Sequence, residues 1–120
     1  MPDYRLGEAE AIFADLIWSN EPLTSRRLSE LAEEKLGWKR TTTYTVLKRL
    51  CDRELFQNQG GTVTALVSKQ QFYAHRSERF VEETFSGSLP AFMAAFCSQK
   101  KLSKQEIEEL QALIDSMKED

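Results

Sequence analysis

The stretch Arg40-Thr41-Thr42-Thr43-Tyr44-Thr45-Val46-Leu47-Lys48-Arg49-Leu50-Cys51-Asp52-Arg53 decides how this chain folds. Placed on a helix at about 100° per residue, Thr43, Val46, Leu47 and Leu50 fall within about 60° of one direction. Thr41, Thr42, Thr45, Lys48 and Arg49 fall on the other side, with Tyr44 at the edge. One face is fit for a core and the other carries hydroxyls and cations. Hydroxyls can bond phosphates or base edges, a threonine methyl can touch a thymine methyl, and arginine can bond guanine through two N–H groups. Threonine is a poor helix former, so this run gives up local propensity on its exposed side. A merely solvated helix also carries Thr and Lys outside, and the neighbouring segments must decide between the two readings.

Upstream lie two amphipathic helices. Ala9, Ile12, Phe13, Leu16 and Ile17 follow helical spacing as the expected buried stripe of the first. Glu8 and Glu10 occupy its first turn, where the helix dipole favours carboxylates, and Asn20-Glu21-Pro22 ends it. The second starts at the N-cap Thr24, is expected to bury Leu28, Leu31, Ala32 and Leu36, and closes at Gly37. Downstream, Leu55–Gln59 and Thr62–Val67 flank Gly60-Gly61, the signature of a β-hairpin. Three helices followed by a hairpin is the order of a winged helix-turn-helix domain, whose third helix enters the major groove.

The rest returns to helix in three pieces: Lys69–Phe85, Leu89–Ser98, and one opened by the capping box Ser103-Lys104-Gln105-Glu106. The last is expected to bury Ile107, Leu110, Ile114 and Met117. The fold class is therefore mainly α with a small β-hairpin wing. We expect a DNA-binding domain over residues 1–67 and a helical dimerisation domain over 68–120, because an apolar three-helix appendage needs a partner and a second copy is the commonest one.

Charge supports the reading once its distribution is considered. The 120 residues carry a net charge of −3, yet Lys39, Arg40, Lys48, Arg49 and Arg53 face only Asp52 within residues 39–53. The acidic total hides one basic element. No apolar run approaches the roughly 20 residues of a membrane-spanning helix, and the opening Met1-Pro2-Asp3-Tyr4-Arg5 has no secretory pattern, so a cytoplasmic location is expected. Cys51 and Cys97 are isolated and expected to be reduced and packed; with His75 as the single histidine they make no metal-ligand spacing. No cofactor or metal is expected. Nor is an enzyme, since no nucleophile–base spacing or glycine-rich phosphate loop can be found.

The segment Trp38–Leu50 resembles the recognition-helix region of the penicillinase repressors (BlaI/MecI), a family that includes copper-responsive CopY repressors. Further pieces fit in order: Leu6-Gly7-Glu8-Ala9-Glu10, Leu16-Ile17-Trp18, Pro22-Leu23-Thr24, Leu66-Val67-Ser68, Gly87-Ser88-Leu89, Ala94-Ala95-Phe96, Leu102-Ser103 and Glu106–Leu110. The resemblance implies a homodimeric repressor on a two-fold symmetric, double-stranded operator. It also implies that Arg40, Thr41, Thr42, Tyr44, Thr45, Lys48 and Arg49 face DNA. Phe80, Phe85, Leu89, Phe92, Phe96, Ile107, Leu110 and Ile114 match its dimer interface, their alternative being packing within one chain.

Three departures bear on mechanism. The β-lactam-responsive members are induced by cleavage at an Asn-Phe bond; the matching bond here is Ala95-Phe96, which leaves the inducer, or a protease acting in its place, open. The C-x-C pairs of the copper-responsive members are missing from the end Asp115–Asp120, so copper sensing is not expected. Glu54 stands where the family often has glycine, and the wing Gln57–Thr64 has no Lys or Arg. The competing hypothesis is a winged-helix module that binds another protein and no operator, supported by that neutral wing and the acidic total.

Overall fold

A computed structural model describes residues 1–118. Its elements are α1 (Glu8–Asn20), β1 (Leu23–Thr24), α2 (Ser25–Leu36), α3 (Arg40–Asp52), β2 (Phe56–Gln59), β3 (Thr62–Ala65), α4 (Lys69–Phe85), α5 (Leu89–Gln99) and α6 (Lys104–Met117). The mainly helical class with a small antiparallel wing is the observed one. The chain divides into two compact units, Met1–Ser77 and the residues from Glu78 onward.

The first unit closes around Phe13, Ala14 and Ile17 of α1, Leu28 and Ala32 of α2, and Val46, Leu47 and Leu50 of α3. Leu23, Leu55, Phe56, Val63, Val67 and Phe72 complete this core. The α1 stripe differs from the expected one: Ile12 is 40 % exposed and Ala9 is exposed, while Ala14 is fully buried. At about 100° per residue, Ala14 lies on the Phe13–Ile17 side and Ile12 well away from it. Periodicity found an apolar helix but not the centre of its buried arc. Leu31 and Leu36 of α2 are only half-buried at the margin of the core.

Helix ends follow local chemistry. Thr24 accepts a hydrogen bond from the Arg27 amide at 3.0 Å. Gly37 ends α2 at φ 68°, a left-handed conformation that glycine adopts without strain. Ser103 accepts from the Glu106 amide at 3.1 Å while Glu106 accepts from the Ser103 amide at 3.0 Å, completing the anticipated capping box. Glu54 does adopt φ 62° after α3, which costs about 1 kcal/mol for a residue with a Cβ.

The sheet has the order β1-β3-β2, all antiparallel. The hairpin was legible; β1 was not, because two residues paired as Leu23↔Val63 and Thr24↔Thr62 carry no alternation to read. The third strand also stops at Ala65, short of the expected Val67, as the Leu66 and Val67 amides both turn to the Leu55 carbonyl at 2.9 and 3.2 Å. Trp18 Nε1 donates to the Val67 carbonyl at 2.9 Å and ties α1 to the exit from the wing.

In the second unit, Ser86 (φ 51°) and Gly87 (φ 82°) turn the chain between α4 and α5. Phe80, Phe85 and Phe92 form an aromatic cluster with centroids 5.6 to 6.0 Å apart, and Phe96 extends it at 6.1 Å from Phe92. No residue of α5 or α6 is buried. The expected burial of Ile107, Leu110, Ile114 and Met117 therefore does not occur within one chain: Leu110 is half-buried and the other three are exposed. The two cysteines are free; Cys51 is half-buried and Cys97 is exposed rather than packed.

Candidate nucleic-acid interface

The candidate interface lies on α3, whose inner face is held by burial of Thr43, Val46, Leu47 and Leu50. That burial fixes the helix about its own axis. It leaves Arg40, Thr41, Thr42, Tyr44, Thr45, Lys48 and Arg49 exposed together, with Tyr44 38 % exposed at the margin. All seven expected site residues thus share one outer surface of one element.

Their side chains are not equally available. Thr45 turns its hydroxyl back to donate to the Thr41 carbonyl at 2.9 Å, a bond that local Ser/Thr geometry favours. Lys48 lies 3.4 Å from Asp52 in a widely exposed pair, which contributes little energy. Arg49 Nη1 lies 3.1 Å from Glu10 Oε2, and Arg53 Nη1 lies 3.1 Å from Glu10 Oε1. Arg53 is mostly covered and also donates to the Arg5 carbonyl at 2.8 Å, so it works as a clamp between the N-terminal segment and the end of α3. Burial pushes the Glu10 carboxyl up, but hydrogen bonds from the Gly7 amide, Arg53 and Arg49 outweigh it and hold the carboxyl below the usual glutamate range.

The neutral wing spends much of its polarity internally. Gln57 Nε2 donates to Thr64 Oγ1 at 3.0 Å, and Asn58 Oδ1 accepts from the Gly61 amide at 3.1 Å. Gln59 and Thr62 stay exposed at the tip. The Ser25 amide donates to the Gly61 carbonyl at 2.8 Å, which sets the wing tip beside the start of α2. Two exposed cations outside the expected set, Arg26 at that start and Lys39 at the N-cap of α3, make no ion pair among the described residues. Reading α3 alone passes over Arg26; the signal that could have found it is a cation in the first turn of the preceding helix.

In the second unit, Phe80, Leu89, Phe96, Ile107 and Ile114 are each between 42 and 57 % exposed, while Phe85, Phe92 and Leu110 are half-buried. Leu113 and Met117, at 54 and 64 %, belong to the same exposed apolar population but lie outside the expected interface set. Ala95-Phe96 falls within α5. No helix among the described residues is long and apolar enough to cross a membrane.

The described residues form a winged helix with a polar, cationic third helix, followed by helices that leave large apolar side chains exposed. The sequence matches the penicillinase repressor family over residues 6–116, and the chain belongs to that family. It is similar to the methicillin resistance regulatory protein MecI of Staphylococcus aureus strain Mu50 / ATCC 700699, at 23 % identity over 93 % of this chain and 94 % of that protein. The proteins of the same name from Mammaliicoccus sciuri and Staphylococcus epidermidis are 22 % identical over the same shares. The family is one of repressors, which places the chain among regulators rather than enzymes.

Proposed function

We propose that the protein is a homodimeric transcriptional repressor that recognises a two-fold symmetric operator by placing α3 in the major groove of double-stranded DNA. The observation that carries the reading is the single outer face of α3, with Arg40, Thr41, Thr42, Tyr44, Thr45, Lys48 and Arg49 all exposed opposite a buried apolar face. Arg40 and Arg49 suit guanine or phosphate, and the threonines suit phosphate, base edges or a thymine methyl. The neutral wing adds only what amides, the hydroxyl of Thr62 and backbone N–H groups can offer. Arg26 and Lys39 add phosphate contacts beside it.

Residues 1–67 then read DNA, with Phe72 of α4 closing their core, and residues 68–120 join two copies. Exposure of the large apolar side chains Phe80, Leu89, Phe96, Ile107 and Ile114 supports this second role, since apolar surface left open to water favours association. A repressor reading DNA acts in the cytoplasm. Selection of bound duplexes from random DNA, followed by sequencing, tests the reading. Recovery of an inverted repeat with half-sites about 10 bp apart or a multiple of that supports it. A folded dimer that enriches nothing at low salt would overturn it in favour of a module that binds protein.

A further inference from the structure

We propose that Glu10 is a positioning residue for DNA recognition: its carboxylate holds the Arg49 guanidinium in one orientation on the outer face of α3. The inference rests on the reading of α3 as the DNA-contacting helix and adds a residue of α1 that touches no DNA itself.

The carboxylate is held in place before it meets Arg49. Glu10 Oε1 accepts from the Gly7 amide at 2.8 Å and from Arg53 Nη1 at 3.1 Å. Arg53 is in turn fixed by the Arg5 carbonyl, and the Glu10 and Arg53 side chains are only 14 and 20 % exposed. Oε2 remains, and it takes Arg49 Nη1 at 3.1 Å. Arg49 itself is 51 % exposed. Nη1 makes its one side-chain hydrogen bond among the described residues, so its Nε–H and Nη2 protons are uncommitted. The result is a cation anchored at one end by a nearly buried acceptor and open at the other. Lys48, in a pair with both partners mostly exposed, has no such anchor.

Anchoring matters because an arginine on a helix surface must lose rotamer freedom when it binds, and a guanidinium already ordered by folding loses less. Its planar fork also carries directional information that a mobile cation does not. A simple charge account gives the opposite sign. A carboxylate beside Arg49 lowers the local positive potential, so neutralising it would strengthen binding to every duplex alike.

The experiment titrates the full-length wild type, Glu10→Gln, Arg49→Ala and the double variant. Each is titrated against an inverted-repeat duplex recovered by selection and against a scrambled duplex of equal composition. Glu10→Gln keeps an acceptor for the Gly7 amide and removes the charge. It is expected to lower the ratio of specific to non-specific affinity by about tenfold, the size of one weakened contact. In the Arg49→Ala background the same change is expected to lower the ratio no further. An equal gain on both duplexes, an unchanged ratio, or a similar loss without Arg49 would overturn the proposal. A wild type that does not distinguish the two duplexes overturns the DNA reading instead. Thermal melting checks the fold at the titration temperature. Should Glu10→Gln be unfolded there, Glu10→Asp keeps the charge on a shorter arm; it is expected to lose selectivity likewise, and full selectivity in it also sinks the proposal.

Discussion

The two units of this chain treat similar apolar side chains in opposite ways. In the first, Phe13, Phe56, Phe72, Ile17, Leu28, Leu50, Leu55 and Val63 are all below 2 % exposed. In the second, α5 and α6 bury nothing, and Leu89, Phe96, Ile107, Leu113, Ile114 and Met117 are from 42 to 64 % exposed. The first has three helices and a sheet that cover one another. The second has one aromatic corner, at Phe80, Phe85 and Phe92, and helices whose apolar sides have no element of the same unit to cover them. Composition alone does not separate a core that closes on itself from apolar sides that stay open; the supply of covering elements does.

The largest expected effect tests the closed unit. Phe56→Ala removes a fully buried ring and is expected to cost about 3–5 kcal/mol, read from urea unfolding; a cost below 1 kcal/mol would show that this core is not what holds the unit together. Phe96→Glu tests the open one. It is expected to weaken self-association by about 100-fold, roughly 3 kcal/mol, by sedimentation equilibrium, while the melting of the first unit stays unchanged. If the dimer persists, the exposed side chains of α5 and α6 serve something else.

Arg49→Ala is expected to weaken operator binding by about 1–3 kcal/mol and to leave self-association unaltered, measured by anisotropy titration beside sedimentation. Operator affinity equal to wild type in a folded dimer would remove Arg49 from the site. The smallest effect lies on the inner face of α3. Thr43 Oγ1 is buried with no hydrogen-bond partner among the described residues, so Thr43→Val is expected to raise the stability of the first unit by about 1 kcal/mol. An unchanged or lower melting temperature would mean that the hydroxyl is satisfied in solution.

Acid gives a further test of the first unit. Because Glu10 is held below the usual glutamate range, its stabilising contribution is fully present above that range and is lost as pH falls through its lowered folded value. Wild type should therefore lose more stability than Glu10→Gln on acidification. Equal acid sensitivity of the two would deny the carboxylate that role.

Much of the fold was legible because its signals are local. Thr24, Gly37 and Ser103 mark helix ends through bonds to residues a few positions away. Gly60-Gly61, at φ 60° and 90°, makes the hairpin turn by its own backbone freedom. The inner and outer faces of α3 follow from spacing in a single helix. The centre of the α1 stripe was not legible, because Ile12 and Ala14 differ in which neighbour they meet and not in apolar character. Strand β1 was not legible either, since its pairing partner lies about 40 positions away and two residues show no period.

By itself, the sequence determined the order of helices and hairpin, the basic outer face of α3 and the left-handed sites at Gly37 and Gly60-Gly61. These depend on propensity, capping and periodicity, which act over a few residues. Tertiary structure alone decided that Glu10 meets Arg49 and Arg53, that Glu54 bears a positive φ and that the buried Thr43 hydroxyl has no partner among the described residues. It alone showed, too, how far the sequence's expectation of an uncovered appendage goes: α5 and α6 bury none of their described side chains. Each of these depends on which surfaces distant segments bring together, and no local window of residues contains that information.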